Sequence, residues 1–168
     1  MREPNALQRW LGVPLILIVA VALQAALFSF LPLFGAKPEL ALLVTVAVAL
    51  ALGSEWGAAA GFLGGFLIDL VGSLPLGISA LSYSVVGYMV GWVAVYLPPS
   101  PFVPVAVAAA ATLAGQTAVL GLSVLLGQGT RGVGIPQLLL TTVYNTVLAT
   151  GVLPLVHWML SPREARRS

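Results

Sequence analysis

Long apolar runs separated by short breaks of Pro, Gly and Ser dominate the chain, and each run is close to the length that crosses a lipid bilayer. A hydrocarbon core of about 30 Å takes roughly 20 apolar residues per helix. On that measure the pattern predicts about six spans, over 11–31, 39–53, 56–71, 76–97, 102–126 and 136–160. The second and third are short and share the tight connection Gly53-Ser54-Glu55. Turn residues mark the other breaks: Pro32 to Pro38, Gly72 to Pro75, Pro98-Pro99-Ser100-Pro101, and Gly127 to Gly134. Pro38 and Pro136 stand where a helix begins, a position that tolerates a missing N–H. Pro14 and Pro154 fall inside spans, where a kink or a frayed end is expected. The expected architecture is a single all-α integral membrane domain over 1–168, a bundle of about six transmembrane helices with short tails at 1–10 and 161–168.

Composition strengthens this picture. The 168 residues are 60% hydrophobic and 7% charged, whereas a soluble domain needs about 25% charged residues to meet water. The net charge of +2 and the lack of aromatic–basic interleaving give no nucleic-acid face. There is no cysteine, so disulfides and thiolate metal sites are excluded. The first apolar run is too long for a cleaved leader and lacks a small-residue cleavage site, so it reads as a retained span.

Charge also orients the bundle. Arg2, Arg9, Arg163, Arg166 and Arg167 lie at the two termini, which six spans place on one side; Lys37 and Arg131 fall on the other. The positive-inside bias then puts both termini in the cytoplasm, and Trp10, Trp56, Trp92 and Trp158 map near that same face.

Chemistry-bearing residues are few. His157 is the one histidine and Asp69 the one aspartate. No HExxH motif, phosphate loop or cluster with metal-ligand spacing occurs. A catalytic role, a metal and a cofactor are therefore not expected. Within 53–77, Gly53, Gly57, Gly61 and Gly65 recur every fourth residue and the next step lands on Asp69. Glycines at this spacing let a second helix backbone come close. The row drifts about 40° per step, so it is expected to spiral rather than form one straight seam. Gly87 and Gly91 give the fourth span a second small-residue face, and Ala106, Ala110 and Ala114 give the fifth a third.

Asp69 lies about 20 Å along its helix from Trp56, too deep to face lipid without cost. It should meet whatever packs on the glycines: an internal cluster with Lys37 or Arg131 and backbone N–H groups, or a ligand or partner. Gln24, Gln116, Thr117, Thr142 and Asn145 are further polar groups inside spans. Tyr83 and Tyr88 share the fourth span, and at least one hydroxyl should point inward to find a partner.

The segment 37–92 resembles the rod shape-determining membrane protein MreD. Pro38, Gly61, Asp69, Leu76-Gly77, Tyr83 and Gly87-Tyr88 match that family's pattern, and Glu39 stands where an aspartate is more usual. The resemblance implies a non-enzymatic component of the bacterial cell-elongation machinery in the cytoplasmic membrane. Its main partner would be an MreC-like bitopic protein, with direct or indirect association with MreB, a RodA-type polymerase and a class-B penicillin-binding protein, in support of peptidoglycan synthesis. The family is similar in architecture to the substrate-binding subunits of energy-coupling-factor transporters. A vitamin- or metal-transporter subunit is therefore the alternative function. Under these readings Lys37, Glu39, Asp69, Leu76, Gly77, Tyr83, Tyr88 and Asn145 are the pocket or partner candidates.

Overall fold

The computed structural model describes residues 6–30, 37–130 and 133–160. Six helices follow in chain order: α1 (Ala6–Phe30), α2 (Leu40–Leu52), α3 (Ser54–Val71), α4 (Ile78–Ala94), α5 (Val103–Leu125) and α6 (Ile135–Leu160), with no strand among the described residues. Most of the two tails, with Arg2, Arg163, Arg166 and Arg167, lies outside the described residues, and so does Arg131.

Among the described residues, α5 and α6 are long and apolar enough to cross a membrane, whereas Trp10–Ala26, α2 and α4 are shorter apolar helices. At about 1.5 Å per residue α2 reaches only about 20 Å and α4 about 26 Å. Both are shorter than a bilayer core, and this shortness shapes the site.

The centre is α2. Every residue from Leu40 to Ala49 is buried, because a helix that is apolar all round has no face to offer water. Its one polar side chain, Thr45, returns its hydroxyl to the Ala41 carbonyl at 2.9 Å. Gly53 turns the chain from α2 into α3 at φ +94°, a left-handed value that favours glycine. The other helices enclose α2 and turn apolar side chains outward, among them Leu15, Val19, Val85, Val143 and Val147, each more than half exposed. An outer surface of this kind suits lipid rather than water.

The tightest contact joins α3 to α4, running antiparallel. A Cβ on Gly57 would strike the Gly87 carbonyl, one on Gly61 the Tyr83 carbonyl, and one on Gly65 the Ser79 carbonyl. From the other side, Gly87 meets Gly57 and Gly91 meets Ser54 and Gly53. Three glycines of the row therefore face one partner. The expected drift does not scatter the row among different neighbours: ridges at i, i+4 are inclined to the helix axis, and a partner helix inclined to match follows them. Gly53 differs from the other three, serving mainly as the turn. The small-residue face expected on α5 is also corrected. Ala106, Ala110 and Ala114 are exposed, and the buried face is Ala108, Ala111, Thr112 and Gly115.

Candidate functional site

One end of the bundle gathers the C-terminal halves of α1, α3 and α5 with the starts of α2, α4 and α6. Two of those starts are buried. The first N–H groups of a helix have no partner within it, and away from water each must be satisfied. Neither α2 nor α4 supplies a side-chain cap of its own. Other helices supply both.

For α2, the Glu39 N–H donates to Asn145 Oδ1 on α6 at 2.9 Å, and the Ala41 N–H donates to Gln24 Oε1 on α1 at 3.2 Å. Asn145 is fully buried and its Nδ2 donates to Thr112 Oγ1 on α5 at 3.2 Å. The Thr112 hydroxyl donates in turn to the Ala108 carbonyl at 2.8 Å. Three helices, α2, α6 and α5, thus meet through one polar chain, and Gln24 adds α1 by a separate bond. Asn145 is about 15 Å from the start of α6, so α2 begins far below that rim.

For α4, the cap is Asp69, 3% exposed. Its carboxylate accepts from the Gly77 N–H at 2.8 Å, the Ser79 N–H at 3.1 Å and the Ala80 N–H at 3.3 Å. A negative group at a helix N-terminus also opposes the positive end of the helix dipole. Gly77, at φ +104°, turns the chain so that these N–H groups converge on the carboxylate.

The recessed start of α2 leaves space above it. A cavity of about 740 Å³ opens there, lined from all sides of the bundle, with Gln24, Glu39, Ser79, Tyr83, Gln116 and Gln137 as polar contributors and Lys37 at its edge. Tyr83 is buried and lines the same cavity as Glu39.

The sequence candidates therefore divide by position. Asp69, Gly77 and Asn145 are engaged in helix caps; Lys37, Glu39 and Tyr83 line the cavity. Leu76 and Tyr88 are 62% and 51% exposed, on the outside of the bundle. Of the two tyrosines, Tyr83 is the inward one. Among the described residues no group of three or more His, Asp or Glu side chains is placed to hold a metal ion.

The pattern of the family described as rod shape-determining protein MreD matches residues 5–160. The chain belongs to the MreD family. No curated protein and no solved structure matches it. MreD membership makes the chain a rod shape-determining protein and a structural component, in a family not known for enzymes. Together with the two membrane-capable helices, it points to a membrane protein.

Several residues of this MreD-family site escaped the sequence reading. Thr112, Ser79, Gln137 and Thr141 were not distinguished, because Ser and Thr can return their hydroxyls to the carbonyl four residues back and then sit on any face. Thr117 does this at 2.7 Å while exposed, and Thr112 does it while buried. Residue type alone does not separate them.

Replacing Asn145 with leucine is expected to cost about 1–3 kcal/mol, since the Glu39 N–H loses its acceptor, while the Thr112 hydroxyl keeps its bond to the Ala108 carbonyl. Thermal melting of the purified chain measures it. A melting point equal to the wild type would mean that this cap carries no stability.

Proposed function

We propose that the chain is a non-enzymatic membrane component of the rod-shape complex, holding an MreC-like bitopic protein and thereby supporting peptidoglycan synthesis during lateral wall growth. Association with MreB, a RodA-type polymerase and a class-B penicillin-binding protein follows through that partner or directly. The chain lies in the cytoplasmic membrane with both termini in the cytoplasm, as the five terminal arginines suggest. The cavity then opens to the outer face. All six helices enter the bilayer, the two short ones starting below its outer surface.

The observation that carries the partner reading is the exposed strip along α4. Leu81, Val85, Tyr88, Met89 and Trp92 are all at least half exposed and follow one another at helical spacing, with Leu76 just before the helix. Exposed strips on α1 and α6 contain mostly branched aliphatic residues, which suit lipid. Tyr, Trp and Met are the types enriched where proteins meet, and the opposite side of α4 is locked to α3 by glycines. The partner's membrane helix packs on this strip.

Tyr88→Ala is expected to reduce the MreC-like partner recovered with the co-expressed chain by about tenfold, the effect of removing an aromatic anchor. Val147→Ala, on the exposed face of α6, is the control and leaves recovery unchanged. Equal recovery with both variants would reject the strip as the interface. The cavity favours a second reading, a substrate-binding membrane subunit of a vitamin or metal transporter. Co-purification of a transport ATPase instead of a bitopic protein would select it.

A further inference from the structure

The bundle is not equally tall on all sides. Its tryptophans give a common lower level, since indoles settle at the membrane interface. The Trp10 and Trp56 rings meet at 5.1 Å, and the close approach of Gly91 to Ser54 places Trp92 beside the start of α3. Trp158 follows by register. Asn145 holds the start of α2, and from there both α2 and residues 145–158 run back about 20 Å.

Above that level α1 reaches about 30 Å and α6 about 35 Å. By contrast α3 ends at Val71, about 22 Å up, and α4 begins at Ile78, about 21 Å up. Tilting a helix can only lower its height. Against a hydrocarbon core of about 30 Å, the α3–α4 side stops about 8 Å short. What lies beyond is the connection 72–77. Gly72, Ser73 and Leu74 face the cavity, but Pro75 and Leu76 do not, and both are exposed. Irregular backbone facing hydrocarbon does not occur, because its N–H and C=O groups would go unsatisfied. The recessed start of α2 escapes this by burial. The turn before α4 has no such cover, so the lipid surface must come down to it.

We propose that the bilayer thins by about 8 Å beside α3 and α4, its outer leaflet dipping to the level of Leu70 and Leu76. The partner of this face is phospholipid, held in a thinned state. The proposal rests on the reading that all six helices enter the bilayer, and not on the partner reading. Phe62 and Leu70 of α3, each more than half exposed, keep lipid beside them whether or not another helix covers α4. Mismatch costs rise with each ångström, so the deformation grows with bilayer thickness.

The test reads depth directly. The chain has no cysteine, so single-cysteine variants carry one nitroxide each. Leu70→Cys, Val85→Cys, Val95→Cys and Val143→Cys all fall at exposed positions. Each full-length variant is reconstituted alone into dioleoylphosphatidylcholine vesicles, and paramagnetic-resonance saturation compares oxygen with a water-soluble nickel chelate. Labels 70 and 143 stand at nearly equal height, about 21 and 22 Å above the tryptophans. Label 70 is expected to read about 8 Å nearer the outer phosphates than label 143. Label 85 should lie in hydrocarbon and label 95 at the opposite interface. In thinner dimyristoleoylphosphatidylcholine vesicles the difference between 70 and 143 should shrink.

Equal depths for 70 and 143, with 85 in hydrocarbon, would overturn the thinning and leave the six spans standing. Label 85 in water would overturn the six-span reading and the thinning with it. A shallow label 70 with label 95 drawn into hydrocarbon would mean a tilted bundle in a flat bilayer. That, or a difference unchanged by lipid length, would also overturn the proposal.

Discussion

Gly61→Leu is expected to disrupt the bundle more than any other single replacement on α3. A side chain there would have to occupy the space of the Tyr83 carbonyl, so α3 and α4 would have to separate along their whole contact. Backbone cannot swing aside as the end of a long side chain can. The cost is about 3 kcal/mol or more, above the ordinary range for an overpacked core. Membrane helices associate through close packing, with no hydrophobic effect between them in lipid to offset its loss. The measurement is the yield of monodisperse protein and its melting temperature in detergent. Gly121 provides the comparison, since a Cβ there meets nothing within 4 Å; Gly121→Leu should change stability by no more than about 0.5 kcal/mol. If the two variants melt alike, the close α3–α4 contact is wrong.

Asp69→Ala is the second large effect. It removes the acceptor for the Gly77, Ser79 and Ala80 N–H groups, the last two of them buried. Hydrogen bonds to a charged group contribute about 1.5–3 kcal/mol each, and their losses here are not independent. A total of about 3–5 kcal/mol is expected. Asp69→Asn should lose roughly half of that, because one amide oxygen still accepts while the NH₂ group confronts donors. Hydrogen exchange gives the local signature: amides 77–80 lose protection in Asp69→Asn while the start of α2, capped by Asn145 and Gln24, keeps it. The opposite pattern, normal melting and protection with partner recovery lost, would make Asp69 a contact residue and refute the cap.

Both predictions concern features that stand out in the sequence, yet their partners are not visible there. The apolar runs and their Pro and Gly breaks are legible because bilayer thickness sets helix length. The glycine row is legible because Gly53, Gly57, Gly61 and Gly65 fall at every fourth place. Its direction is not, since a drifting row faces one neighbour only if that neighbour is inclined to match. Tyr83 and Tyr88 show the same limit from the other side. Five residues apart, they point about 140° from each other on a helix, so one must face outward. The pattern alone does not say which.

The sequence by itself determined that this chain is an apolar helical bundle with almost no titratable chemistry, a close-packing face on α3, and a single buried aspartate at the end of that face. These are properties of composition and spacing, fixed by the cost of polar groups in lipid and by helix periodicity. Its match to the MreD family likewise comes from the order of residues. Tertiary structure alone decided what the polar groups do. Asp69 caps α4 from α3, eight to eleven residues away in sequence, and Asn145 caps α2 from 106 residues away. A short helix starting inside the bundle must borrow its caps from whichever neighbours reach it, and the choice among them depends on packing. The same short helix opens the cavity that Gln116 and Glu39 line, a space that belongs to no one stretch of the chain.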